Sequence, residues 1–366
     1  MQIRTLRDDV ELAEWTERWD RLGHQAGALV FSAPGWVAAW RRVMEPDASI
    51  QLLIDGPDDN PVGLFALSEL RQRLHPRIPA SVPYLGIAGS GLGSADHLGP
   101  ITESAESGER LLIAASAMAQ RRPLVLAHLG PAHADAARNL PGSTAVTTTP
   151  VPGIDLTGVN EPEALWSTKM GKNLRRVERR MVDRGFTRSW TRIGGETSEL
   201  LGEHGRLHAK RWQALGRSGL FDDRRRRFLT AVATELREPD GLWIQLINGP
   251  SGNIGSALVF RYGRTVCTYS TGRDPEFHEL NLGPLLHSAA IRWAVEGRAT
   301  RYEFLRGVEQ HKARLGGSPS LDTSFVVGTS PTARILRVRE AFLIRRDERA
   351  KIAQSQDDSG QNGGNE

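Results

Sequence analysis

The sequence predicts a mixed α/β protein built from two consecutive compact units, and three observations carry that expectation. Helix-period and strand-period segments alternate from one end to the other. The 366 residues, 39% hydrophobic and 25% charged, suffice for two domains at about 150 residues each. The halves also echo each other. Gln51-Leu-Leu-Ile-Asp-Gly-Pro-Asp-Asp-Asn-Pro-Val-Gly has a counterpart in Gln245-Leu-Ile-Asn-Gly-Pro-Ser-Gly-Asn-Ile-Gly, which places Gly56 and Gly249 in equivalent hairpin turns. Later, a strand ending Leu129-Gly130 precedes 133–140 much as one ending Arg306-Gly307 precedes 310–315. Two echoes in the same order point to a duplicated domain.

Each element follows from its pattern. A strand at 3–6 leads to helices over 10–25 and 35–43, the second capped by Ser32 with Pro34 in its first turn. Runs at 49–54 and 62–70, separated by Asp55-Gly-Pro-Asp-Asp-Asn-Pro61, read as a hairpin. A Gly-rich stretch at 86–99, an apolar helix over 109–120 and a strand at 124–129 follow. Segment 140–152, rich in Thr, Pro and Gly, lacks a helical period and reads as the link, so the units are expected at 1–150 and 151–330. The second holds a basic helix over 161–184, a strand at 186–193 and helices over 196–215 and 225–237. Strands at 242–248, 254–262 and 265–271, a helix over 285–296 and a strand at 301–305 complete it. A terminal helix is expected over 331–353, and 354–366 is too poor in apolar residues to pack and reads as a disordered tail.

Composition excludes several classes. The single Cys267 has no intrachain partner, which removes a disulfide framework and any site needing several thiolates. No apolar run approaches the roughly 20 residues that cross a bilayer. Met1–Val10 shows no basic-then-apolar signal pattern, so a cytoplasmic protein is expected. A net charge of +4 suits an anionic small molecule, a nucleic acid or an acidic lipid surface without choosing among them.

Three clusters bear chemistry. Lys169, Lys172, Arg175, Arg176, Arg179, Arg180, Arg184, Arg188 and Arg192 fall in one window, and on a helix Lys172, Arg176 and Arg180 stack at i, i+4 into a cationic stripe. It is either a solvated face or a contact for phosphates of a cofactor, a lipid head group or tRNA. After the strand 266–271, a loop with Arg273 and His278 leads to Asn281-Leu282-Gly283-Pro284, either a plain helix start or an anion site made by free N–H groups. In Tyr302-Glu303-Phe304-Leu305-Arg306, alternation puts Glu303 on an apolar side, as a general base or as a buried partner of an arginine. His311 and Lys312 just beyond are candidate donors to a reacting carbonyl oxygen. Other patterns are weaker. Gly89-Ser-Gly-Leu-Gly93 is not followed by a helix, His204 and His208 lack a zinc signature, and Cys267 in a strand reads as packing.

Taken in order, 167–180, Leu207–Trp212 with Gly219–Phe221 and Phe228, Asn281–Pro284 and Phe304–Lys312 resemble the GNAT-type acyltransferases named after the cellulose-biosynthesis protein CelD, relatives of the Fem peptidyltransferases. The resemblance covers most of 165–315 and the first half in outline. It implies two tandem GNAT-like domains and acyl transfer from acyl-CoA, acetyl-CoA foremost, to an amine or hydroxyl of a small-molecule, sugar or cell-envelope acceptor, with no metal. Of the usual Gln/Arg-x-x-Gly-x-Gly/Ala donor loop this sequence keeps only Gly283. The expectation is therefore donor phosphate at Asn281, Gly283, Arg273 and His278, catalysis by Glu303, His311 and Lys312, and acceptor contacts from Lys172, Arg176, Trp212 and Phe221. Fem relatives take aminoacyl-tRNA, which the basic stripe suits, and a non-catalytic scaffold in polysaccharide assembly is the remaining alternative.

Overall fold

The computed structural model describes residues 1–339 except 76–77, 92–94, 120–121, 215 and 217–220. The first half runs β1 (Gln2–Leu6), α1 (Asp9–Ala13), α2 (Thr16–Gln25), α3 (Pro34–Val43), β2 (Ile50–Asp55), β3 (Gly63–His75), β4 (Ile78–Ile87), β5 (Ile101–Thr102), α4 (Ala105–Met118), β6 (Leu124–Leu129), α5 (Pro131–Arg138) and β7 (Ser143–Pro150). Then come β8 (Gly153–Asp155), α6 (Thr168–Asp183), β9 (Thr187–Arg192), α7 (Leu200–Gln213), α8 (Asp223–Glu235), β10 (Gly241–Gly249), β11 (Gly252–Tyr262), β12 (Thr265–Arg273), α9 (Leu282–Glu296), β13 (Arg301–Glu303), α10 (Gln310–Arg314) and β14 (Leu321–Val327).

The same plan appears twice. In the first sheet β1 to β4 are antiparallel neighbours and β4 then pairs parallel with β6. In the second, β9 to β12 are antiparallel and β12 pairs parallel with β13. Helix α4 fills the first parallel crossover and α9 the second, as a parallel connection requires. The fold is thus the mixed α/β, two-sheet tandem arrangement expected.

The last strand crosses to the other half. β14 inserts between β6 and β7 of the first sheet, antiparallel to both, while β8 lies along β13 in the second. Residues 321–327, placed by the sequence in the second unit, therefore complete the first sheet. The stretch 140–152, read as a link, is instead largely β7, whose Thr-rich run is β-branched and finds its partner only in the distant β14. β4 also escaped the sequence reading. Helical residues extend over 331–339; the remainder of the expected terminal helix and the tail lie outside the described residues.

Local signals explain most boundaries. Ser104, Ser167 and Asp222 accept from backbone N–H groups at the starts of α4, α6 and α8. Ser32 does not cap α3: it lies in a 3-10 turn (Val30–Ser32), and its carbonyl accepts from Trp19 Nε1 at 2.9 Å. α3 itself is buried from Pro34 to Trp40 because it packs on α8 across the junction of the halves. Trp36, fully buried, meets Phe228 edge-on at 4.7 Å and Phe260 at 5.9 Å, both from the second half. A single apolar cluster runs from β1 through these residues into β10 and β11, while a second lies between the other face of the second sheet and α6 and α9.

Candidate active site

β12 and β13 pair over only three residues, Thr265 with Arg301, Val266 with Tyr302 and Cys267 with Glu303. Beyond them β12 continues to Arg273 while the other chain turns away, so the sheet forks. An extra residue in β12 sharpens the divergence: Thr268 and Ser270 face consecutive residues of β11, leaving Tyr269 as a bulge. A cavity of about 500 Å³ occupies the fork. Thr268 to Thr271 and Arg273 of β12, the start of α9, 304–306, 309, 311 and 312 wall it, and α7 supplies His208, Arg211 and Trp212.

One end of the cavity is the start of α9. Asn281 takes a left-handed conformation (φ 46°, ψ 55°) that ends the preceding 3-10 turn and opens the helix, and no side chain caps it. Its first N–H groups are thus available for an anion. Gly283 leaves room there. A Cβ on it would meet only the Arg273 guanidinium, at 4.0 Å. Arg211 donates to the Thr271 carbonyl and hydroxyl at 3.3 and 2.9 Å, while its Nε is buried with no hydrogen-bond partner among the described residues. Burial and the charge of Arg273 lower its pKa, with Glu309 opposing. Two guanidiniums, free helix N–H groups and an open strand edge fit a phosphate-bearing acyl donor whose arm carries amides.

The floor is lined by neutral imidazoles. Burial, followed by Lys312, Arg211 and Arg273 against the opposing Glu309, brings His311 down to about 4, and its Nε2 has no partner among the described residues. His287, from α9, lies 5.4 Å away ring to ring and is held well below its ordinary value by burial. Its Nδ1 bonds Tyr302 Oη at 2.9 Å, which in turn meets Thr268 Oγ1 at 2.7 Å. Burial likewise takes His208 down to about 4, and its Nε2 accepts from Trp212 Nε1 at 2.8 Å.

Of the expected residues, Arg273, Asn281, Gly283, His311, Lys312, Trp212 and Phe221 meet in this cavity. Others do not. Glu303 faces away: it is fully buried against Arg301 and His97, with Gly153 so close that a Cβ there would clash with its carboxyl. Strand alternation sends Tyr302 toward α9 and Glu303 toward the first half, so the buried-partner alternative describes it and a base in the cavity does not. Lys312 is in place but spent. Its Nζ donates to the carbonyls of Leu305 and Arg306 at 3.0 and 3.1 Å and pairs with Glu309 at 2.9 Å, leaving no donor for a reacting oxygen. His278 is exposed on the 3-10 turn outside the cavity. Lys172 and Arg176 are exposed on α6, whose apolar side, Met170, Leu174, Val177 and Met181, faces the core; neither lines the cavity.

Phe228, grouped with Trp212 and Phe221 in the sequence, is core. His204 is structural, its nitrogens bonded to Ser256 and Ser270 at 2.9 and 3.1 Å. Burial pushes the Cys267 thiol far up, which rules it out as a nucleophile at neutral pH. Sequence reasoning missed Arg211, His287 and Glu309. A histidine four residues after Gly283 in an otherwise apolar helix was the available signal for His287.

Residues 168–313, from the start of α6 into α10, match the family model of the acetyltransferase (GNAT) domain. No curated protein sequence matches the chain. Among solved structures, FemX superposes with a TM-score of 0.64 at 11% identity, over 91% of this chain and all of its own. The C-terminal domain of a lysylphosphatidylglycerol synthetase described as putative, from Agrobacterium fabrum, gives 0.57 at 10% identity, over 91% of this chain and 97% of its own. L-PGS from Bacillus licheniformis gives 0.55 at 11% identity, over 90% and 96%. The chain therefore has the FemX-like two-sheet fold, and its second half matches an acetyltransferase (GNAT) domain over 168–313.

Proposed function

We propose that this protein is an N-acyltransferase that moves an acyl group, acetyl foremost, from acyl-CoA to an amine or hydroxyl of a small-molecule, sugar or cell-envelope precursor. The observation that carries the reading is the forked cavity whose donor end joins the uncapped start of α9 to Arg273 and Arg211. Those groups hold the donor's phosphates, and the free edge of β12 pairs with its amide-bearing arm. A thioester supplies the acyl group. Trp212 and Phe221 shape the acceptor's approach. His311 Nε2, neutral and with no partner among the described residues, takes the proton that the acceptor nitrogen or oxygen loses as its bond to the acyl carbon forms, while the thioester C–S bond breaks and CoA leaves as the thiolate. Lys312 holds the wall on which His311 stands. The sequence resemblance to CelD-like enzymes and the cytoplasmic, polysaccharide-linked setting it suggests belong to the same reading.

A second reading has its own observation. Lys169, Lys172, Arg175, Arg176, Arg179 and Arg180 are all exposed along α6, a face suited to the phosphates of an aminoacyl-tRNA donor in a Fem-like transfer. The deciding test is thermal stability with acetyl-CoA, longer acyl-CoAs, free CoA and charged tRNA. A donor present at about a hundred times its Kd stabilises the native state by about 2.7 kcal/mol. A shift with acyl-CoA that Gly283→Val abolishes supports the first reading. A shift with charged tRNA alone, lost steeply with salt, supports the second, and no shift on folded protein leaves a non-catalytic role.

A further inference from the structure

Among the described residues, five other than glycine have positive φ, and two of them line this cavity, Asn281 and Leu305 (φ 58°), while a third, His128 (φ 46°), meets Arg306 behind the wall. Such backbone is costly for a residue with a β-carbon and persists only where its surroundings impose it. Leu305 shows what imposes it. From its own half, Lys312 Nζ holds the carbonyls of Leu305 and Arg306. From the first half comes Asp96, fully buried, which accepts from the Arg306 backbone N–H at 2.9 Å and from its guanidinium Nε at 2.8 Å. Arg306 also donates to the Ala95 carbonyl at 3.0 Å, and its Nη1 meets His128 Nε2 at 3.1 Å. A guanidinium only donates, so that nitrogen of His128 must be the acceptor.

We propose that Asp96 is a positioning residue for the transfer site: this carboxylate of the first half fixes Arg306, and through it the strained turn 305–307 that sets His311 in the cavity. The inference rests on the acyl-transfer reading for its kinetic consequence only. Among the described residues, the other backbone bonds that the start of this segment makes on that side are those of Gly307 and Phe304 to the Pro150 and Pro152 carbonyls. The cavity wall of the GNAT-matched half is therefore incomplete without the other half, although Asp96 does not itself line the cavity.

The test uses the full chain with Asp96→Asn, which keeps shape and removes the charge, and Arg306→Lys, which keeps charge and removes the planar two-point grip. Hydrogen exchange of 304–315 is measured without ligand. Acetyl-CoA cleavage is measured with whichever amine, from a panel of amino sugars and amino acids, the unaltered protein turns over fastest. Displacing a reacting group by about an ångström costs up to about a hundredfold, so kcat is expected to fall about ten- to hundredfold. KM for acetyl-CoA should stay within about threefold, because the start of α9 is untouched, and exchange across 304–315 should quicken. Unchanged exchange in folded Asp96→Asn and Arg306→Lys overturns the proposal, as does a loss confined to KM. If the unaltered protein cleaves no acyl donor, the acyl-transfer reading fails, and the exchange measurement still decides whether Asp96 holds the turn. Should Asp96→Asn not fold, Arg306→Lys carries both measurements.

Discussion

Replacing Trp36 by alanine tests whether the two halves are one folding unit. The indole is fully buried between them, edge-on to Phe31 at 4.8 Å and Phe228 at 4.7 Å, with Phe260 and Tyr269 at 5.9 and 6.2 Å. Its Nε1 donates to the Gly89 carbonyl at 3.0 Å. Truncating a buried tryptophan costs about 3–5 kcal/mol in transfer and cavity terms. Orphaning the Gly89 carbonyl adds about 1 kcal/mol. The expected loss is thus about 4–6 kcal/mol, a large share of the roughly 5–15 kcal/mol that holds a typical domain folded. Urea unfolding followed by far-UV circular dichroism, together with calorimetry, should show one transition displaced as a whole, lower by about 5–8 °C at about 1.3 °C per kcal/mol for a single unit of this length. A loss below about 2 kcal/mol, or two separated transitions of which only one moves, would refute the reasoning that this contact fuses the halves.

Two further outcomes follow from charge. Burial opposes a charge on His97, yet the close Asp322 and Glu303 carboxylates, at 2.6 and 3.4 Å, outweigh it and push the imidazole up to about 9. Because that folded value lies above the unfolded one, its stabilisation is complete below about pH 6.5 and fades as pH rises through about 9. Denaturant titrations from pH 6 to 10 should show that decline, about 3 kcal/mol at most, and His97→Gln should flatten it; an equally steep alkaline limb in the variant would contradict the assignment. The second concerns His311, lowered to about 4 partly by Arg211 and Arg273. A bound anionic donor offsets those charges, so the acid limb of kcat should lie at higher pH than that of kcat/KM, which reports the free enzyme. Coincident limbs, or full turnover in His311→Gln, would remove it as the proton acceptor.

What the sequence made legible was local. β6 lies where its apolar run placed it, Leu124–Leu129, and α8 lies within about two residues of the expected 225–237. The start of α9 was readable because Asn281-Leu-Gly-Pro encodes a helix start within four residues. What escaped depends on partners far away in the chain. The Thr-rich β7 becomes a strand only beside β14, and the role of Glu303 turns on His97, some two hundred residues earlier. Lys312 lines the cavity, but its role as a donor could not be judged from sequence, since the carbonyls that engage its protons come from a turn whose strain no pattern announces.

The position of β14 has a consequence for biosynthesis. Its pairing with β6 and β7 cannot form until residue 327 has been made, so the amino-terminal sheet emerges with a gap one strand from its edge. At roughly 5–20 residues per second, on the order of ten to thirty seconds separates the synthesis of β7 from that of β14. During that interval β6 and β7 each present an unpaired edge, a known invitation to non-native association. A chain stopped short of β14 would keep both edges for good, so truncation even outside the GNAT-matched segment should yield aggregates rather than a smaller working enzyme.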